Sequence, residues 1–221
     1  MSGMQPYFSL LGDSISTFQD VTPPGGVYYA PAFGAITGVC SAEDTWWMQV
    51  IHALGGRLLA NNSWSGSSVA STGALSACSP SRIRKLAADG ITPDHVLVFS
   101  GLNDVNQYVP EDRFAADYEL MLRRIREAYP QAAVTCGTLI TGYLDNTPFN
   151  RQLTPFRERL VPYNEAIRRA AAATGCQVAD LARLDARYPS MDGLHPNKAG
   201  MTQLARLWLQ CMQVQLARFR G

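Results

Sequence analysis

Five short apolar runs, separated by helix-like segments, constrain what this chain can fold into more than any other feature. They fall at 7–11, 57–62, 95–100, 132–138 and 177–181. Strand-like runs alternating with helical patterns predict a parallel sheet with helices on both faces. The expected fold is therefore α/β, a three-layer αβα sandwich around a mainly parallel five-stranded sheet. A chain of 221 residues suits one such domain, 1–221, and 47% hydrophobic residues can fill its core. No internal repeat, low-complexity tract or linker argues for a second domain.

The helices follow from apolar spacing and caps. Ser41, with Asp44 three residues on, predicts the capped start of a helix whose stripe is Trp46, Trp47, Val50, Ile51 and Leu54. Gly55 and Gly56 end it. A short helix is expected near 81–88. The clearest spans 111–129, with Phe114, Tyr118, Met121, Leu122 and Ile125 on one face, and Pro130 stops it. Acids at its start and arginines near its end complement the helix dipole. Phe156, Leu160, Tyr163 and Ile167 mark a fourth, kinked or restarted at Pro162. Asn197 is the expected cap of the last, which turns Leu204, Leu207, Trp208 and Cys211 inward. The connections 17–40 and 139–154 are longer than usual and follow strand ends on the side where open α/β sheets bind ligands. They are expected to wall a pocket; the alternative is that they only cover the sheet edge.

Four short pieces carry chemistry. Gly12-Asp13-Ser14 follows the first strand, where a serine can stand exposed at the carboxyl end of the sheet. Ser65-Gly66, Gly101-Leu102-Asn103-Asp104 and Asp192-Gly193-Leu194-His195-Pro196 come after it in order. Each has a plainer reading: Ser14 as a helix cap, Gly66 as a turn glycine, Asn103 and Asp104 as a turn satisfying loop amides, Asp192 and His195 as surface residues. Together they supply what acyl transfer through serine needs. Ser14 is the candidate nucleophile, His195 the base and Asp192 the group that orients it. The Ser14 amide, the Gly66 amide and the Asn103 side chain are candidate oxyanion donors. Of the three histidines, His52 falls off its helix stripe and His95 is expected at a sheet edge, away from Ser14.

This pattern resembles the SGNH (GDSL-type) hydrolase superfamily, whose serine, glycine, asparagine and histidine lie in separate blocks. Ser14, Gly66, Asn103 and His195 match them in order, and Asp192 matches the triad acid. Ile15 stands where that family often has leucine, and Trp64 is an unusually bulky neighbour of the second block. The resemblance implies a flavodoxin-like fold and a serine esterase that needs no cofactor or metal. It leaves the substrate open among sugar acetates, lipids and thioesters. The aromatic residues Tyr28, Tyr29, Trp64 and Tyr143 are candidate substrate contacts. Flat rings suit sugar faces, so a short acyl group such as O-acetyl on carbohydrate is the expectation. Lipase or thioesterase action on longer chains, or transfer to an acceptor other than water, are alternatives.

Nineteen basic and 18 acidic residues leave a formal charge of +1. With no basic stripe, nucleic acid is not an expected partner. No run is long and apolar enough for a membrane span. The first residues lack the pattern of a secretory signal, so a cytoplasmic location is expected. The oligomeric state is not legible. Of five cysteines, Cys136, Cys176 and Cys211 are expected to pack as small buried hydrophobes. A Cys40–Cys78 bridge is the less favoured reading without an export signal. A phosphate- or glycan-binding α/β module is the competing class. Against it, no lysine or extra glycine surrounds Ser14, and a binder has no use for Asp192 and His195.

Overall fold

The computed structural model describes residues 5–70, 73, 75–144 and 154–218. Five parallel strands form the main sheet: β1 (Tyr7–Gly12), β2 (Arg57–Asn61), β3 (His95–Phe99), β4 (Ala133–Gly137) and β6 (Gln177–Ala179). Their order is β2-β1-β3-β4-β6. That places a topological switch point between β1 and β3, where the connections leave toward opposite sides and open a crevice. The expected strands are all present, within a residue or two at their ends. A two-stranded parallel ribbon, β5 (Gly142–Tyr143) with β7 (Tyr188–Pro189), has no counterpart in the sequence reading.

Seven helices lie among the described residues: α1 (Gly34–Thr37), α2 (Trp46–Ala53), α3 (Pro80–Arg84), α4 (Leu102–Asn106), α5 (Glu111–Ala128), α6 (Thr154–Thr174) and α7 (Lys198–Arg218). On one face α2 packs on α7, and Trp46 stacks on Trp208 at 4.8 Å with Phe99 of β3 edge-on to both. On the other, α5 packs on α3 and α6, and Phe114 meets Tyr118 and Tyr163. Phe114, Tyr118, Met121, Leu122 and Ile125 are all buried, as their spacing requires.

Several local expectations change. Ser41 does form a capping box with Asp44, but over a single 3-10 turn, Ala42–Asp44; Thr45 then caps α2 by accepting from the Met48 amide. Two short caps in tandem turn the chain before the tryptophan stripe. α6 runs through Pro162 without restarting. His95 is not an edge residue: β3 pairs with both β1 and β4, and the imidazole stacks on Phe8 at 4.4 Å. Cys40 and Cys78 are free thiols, the first exposed and the second buried beside Arg124. Cys136 is buried, whereas Cys176 and Cys211 are only partly so. No helix among the described residues is long and apolar enough to cross a membrane.

Candidate active site

Ser14 sits where β1 ends, at the start of a 3-10 turn, Ser14–Ser16. Asp13 caps that turn, its carboxylate accepting from the Ile15 amide at 3.1 Å. The turn stops the strand and lifts the Ser14 side chain to the rim of the sheet, where 8% of the residue is exposed.

The Asp192–His195 segment is held across the crevice by short-range chemistry. The Met191 amide donates to the His195 carbonyl, closing a tight loop. The Ser190 hydroxyl donates to the Tyr143 carbonyl and accepts from the Gly193 amide, tying the loop to the small ribbon. Asn197 caps α7 through the Gly200 amide at 2.9 Å. Gly200 must be glycine for space: a Cβ there would lie 1.9 Å from the Pro189 carbonyl oxygen.

These two segments meet. Ser14 Oγ lies 2.9 Å from His195 Nε2, and His195 Nδ1 lies 2.6 Å from Asp192 Oδ2. Asp192 Oδ1 accepts from the His195 and Leu194 amides at 2.7 and 2.9 Å. Partial burial pushes the Asp192 carboxyl up, but the hydrogen bonds from the His195 ring and the two amides outweigh it and hold it at about 2. Asp192 is therefore ionised at neutral pH, which directs the Nδ1 proton toward it and leaves Nε2 to accept from the Ser14 hydroxyl.

The Gly66 turn is brought alongside. The Trp64 amide donates to the Gly12 carbonyl at 3.1 Å, and the Ser67 amide donates to the Trp64 carbonyl at 3.0 Å. Gly66 sits at φ +77° with open space around its α-carbon, so the conformation, rather than crowding, favours glycine. The Asn103 side chain, at the start of α4, donates to the Ser67 carbonyl at 2.8 Å. Among the described residues, no protein acceptor takes the amide N–H of Ser14 or Gly66. The structure thus gathers Ser14, Gly66, Asn103, Asp192 and His195 around one end of the sheet.

Two buried charged groups beneath this site escape a sequence reading. Arg82, on α3 and 3% exposed, donates to the Gly12 and Asn62 carbonyls, to the Leu75 carbonyl and to the Ser67 hydroxyl. It joins the nucleophile turn to the Gly66 loop. Burial lowers the Arg82 guanidinium to about 10, against the pull of Asp13. Asp104 binds the Val69 and Ala70 amides, both at 2.9 Å, and so anchors the far side of that loop. Burial raises Asp13 and Asp104 to about 6 each, although amide hydrogen bonds oppose it. Asp104 was legible as a loop-amide acceptor but not its partners. Arg82 carries no local signal, because its partners lie in other segments.

The aromatic candidates divide. Tyr28 stacks on the His195 ring. Tyr29 is fully buried and donates to the Pro196 carbonyl at 2.8 Å, so it is a brace for the histidine loop and not a substrate contact. Trp64 is half-buried over Gly26, where a Cβ would lie 2.4 Å from the indole. Tyr143 belongs to the small ribbon, and the Arg187 guanidinium lies 5.9 Å above its ring. The 17–40 connection is not a plain loop, since it contains a 3-10 turn, Pro31–Phe33, and α1. It does form a wall: Val27, Tyr28, Phe33, Ile36 and Thr37 line a cleft of about 420 Å³ with Met191 and Asp192. Of the 139–154 connection, positions 145–153 lie outside the described residues.

No curated protein sequence gives a significant match. Among solved structures the chain is similar to a protein described as a GDSL-like lipase from Bacteroides ovatus, with a TM-score of 0.71 and 23% identity over 95% of this chain and 99% of that one. A second, from Bacteroides uniformis, gives 0.68 and 24% over 95% and 96%. The aryl esterase of M. smegmatis gives 0.66 and 15% over 95% and 98%. These likenesses speak for the fold. The sequence itself matches the model of the GDSL-like lipase/acylhydrolase family over residues 10–203, a span that takes in all four blocks, and the chain belongs to that family of ester hydrolases.

Proposed function

We propose that this chain hydrolyses carboxylic esters through an acyl-enzyme on Ser14. The observation that carries the reading is the continuous relay from Ser14 Oγ to His195 Nε2 and from His195 Nδ1 to Asp192, at 2.9 and 2.6 Å. Ser14 Oγ attacks the ester carbonyl as its proton passes to Nε2. The carbonyl electron pair moves to oxygen, where the Ser14 amide, the Gly66 amide and the second N–H of the Asn103 side chain stabilise it. As the tetrahedral adduct collapses, the C–O bond to the alcohol breaks and Nε2 returns the proton to the departing oxygen. Water then adds to the acyl-enzyme by the same route, with His195 as base, and releases the acid. Asp192 stays ionised and stabilises the imidazolium in both halves.

The acyl group in this reading is short, acetyl above all. Its motive is that the apolar cleft lined by Tyr28 and Asp192 is reached from the histidine side, where the alcohol departs, which assigns this cleft no acyl chain. The aromatic motive for a carbohydrate as the alcohol is reduced to Trp64 and Tyr143, because Tyr29 is buried and Tyr28 is stacked on His195. A panel of p-nitrophenyl esters from acetate to octanoate tests the acyl preference beside Ser14→Ala and His195→Ala. Turnover is expected to fall with chain length and to vanish in both variants. Faster hydrolysis of octanoate would defeat the short-acyl reading, and full activity in Ser14→Ala would defeat the mechanism. Added alcohols, with products identified, separate hydrolysis from acyl transfer.

A further inference from the structure

We infer that the cleft formed by Val27, Tyr28, Phe33, Ile36 and Met191 beside Asp192 binds the alcohol portion of the ester, and that this portion is apolar. The inference rests on the Ser14 reading above and adds the chemical class of the leaving group.

Position argues first. His195 must give its Nε2 proton to the departing alcohol oxygen, so the alcohol leaves on the histidine side of Ser14. The oxyanion donors Gly66 and Asn103 belong to the opposite wall, reached through Ser67 and Trp64. The cleft reaches the histidine side through two of its lining residues: Tyr28 covers one face of the imidazole and Asp192 binds its Nδ1. Tyr28 belongs both to the imidazole stack and to the cleft lining, so a group attached to the ester oxygen that runs along Tyr28 enters this cleft.

Chemistry and size follow. A volume of about 420 Å³ lies in the range of small-molecule sites and exceeds what methanol or ethanol needs. Valine, phenylalanine, isoleucine and methionine side chains dominate the lining. Phe33 and Ile36 remain 54% and 76% exposed, although they sit next to a catalytic cleft where apolar side chains have a use. Of the polar groups in the wall, the Thr37 hydroxyl is engaged with the Phe33 carbonyl and the Val39 amide, and the Asp192 carboxylate with His195 and Leu194, so the several hydroxyls of a sugar would find few free partners there, which is costly. An aryl or hydrocarbon alcohol loses nothing there and buries surface.

The wall is also preformed. The Tyr28 amide donates to the Thr17 hydroxyl at 2.9 Å, the Gln19 amide to the Tyr29 carbonyl, and the Phe33 amide to the Ala30 carbonyl. The Tyr29 hydroxyl pins the segment to Pro196, the residue after His195. The cleft and the imidazole are therefore fixed to each other through one residue pair, and a ligand meets little ordering cost.

The test uses three esters on the full chain: 2-naphthyl acetate, ethyl acetate and ethyl 2-naphthoate. The first carries its ring on the alcohol, the third on the acyl group. The two acetates share one acyl-enzyme, so the alcohol is read only in kcat/KM, which ends at acylation. The measured quantity is the ratio of kcat/KM for 2-naphthyl acetate to that for ethyl acetate, in the native chain and in Phe33→Ser and Ile36→Ser. Intrinsic leaving-group reactivity cancels when this ratio is compared between chains. Both side chains are largely exposed, and urea midpoints verify that folding survives. The ratio is expected to fall about 10-fold or more in each variant, with the smaller change for ethyl 2-naphthoate. An unaltered ratio overturns the inference while Ser14→Ala inactivity keeps the esterase reading intact. A loss confined to ethyl 2-naphthoate overturns it too, by placing the acyl group in the cleft. If the native chain turns over none of the three, the esterase reading fails and takes the cleft with it.

Discussion

The phenol ring of Tyr28 lies flat on the imidazole of His195, with centroids 3.8 Å apart and planes 6° from parallel. Asp192 holds the same imidazole edge-on through Nδ1. One contact packs a face of the ring, the other holds its Nδ1 edge. An electron-rich face over a ring that becomes cationic during each turnover is also favourable. Tyr28→Ala is expected to lower kcat/KM for p-nitrophenyl acetate by about 10- to 100-fold, because small misplacements of a catalytic group are costly. Tyr28→Phe keeps the stack and should stay within a few-fold of the native value. Equal losses in both would show that the hydroxyl, not the stack, matters.

Asp192 and Asn103 should respond in kinetically distinct ways. Asp192→Asn keeps the shape but no longer enforces the Nδ1–H tautomer, and kcat should drop by roughly 10³- to 10⁴-fold. Asn103→Ala removes one oxyanion donor, and kcat should drop by about 10²- to 10³-fold with little change in KM. It also leaves the Ser67 carbonyl unpaired, so its unfolding midpoint is measured in parallel. A rise in KM alone in Asn103→Ala would remove that side chain from the oxyanion site.

Arg82 ties together segments that contribute both the nucleophile and an oxyanion amide. Arg82→Met leaves the Gly12, Asn62 and Leu75 carbonyls without this donor and removes a positive charge that acts on Asp13. The expected loss is about 3 to 5 kcal/mol of stability in urea unfolding. Activity per folded molecule should fall as well, since the Gly66 loop is no longer clamped to the Ser14 turn. A variant as stable and active as the native chain would make the guanidinium a spectator.

Stability should vary with pH in a direction set by Asp13 and Asp104. Both titrate at about 6 in the fold, above the usual 3.8 of an unfolded aspartate. A raised carboxyl binds its proton more tightly when folded, so its contribution is complete below pH 4 and is lost as pH rises through 6. Each carboxyl accounts for up to about 3 kcal/mol. Asp192 runs the other way: held at about 2, it contributes above pH 4 and loses that contribution as pH falls toward 2. Its half-exposed position keeps the effect small. Urea midpoints are therefore expected to decline between pH 4.5 and 7, with a shallower decline in Asp13→Asn. A rising midpoint over that interval would contradict the assignment.

The features legible from residue order are local. Apolar runs of strand length and helical stripes identified the five sheet strands, because burial of one face imposes a period that neighbouring residues reveal. The chemistry of Ser14, Asp192 and His195 was legible because each is held by its own turn: Asp13 under Ser14, Asp192 on the amides of 194 and 195, Asn197 on α7. Gly66 and Asn103 were legible as residue types in order, while their placement depends on Arg82, Asp104 and the Ser67 carbonyl. Which side chains from distant segments share a space follows from packing. Tyr28 and Tyr29 are adjacent in sequence, yet one covers an imidazole and the other is buried as a brace. Arg82 reads as an ordinary helix cation until three other segments close over it. Such partnerships depend on how layers pack at close range, and no periodicity within a single segment encodes them.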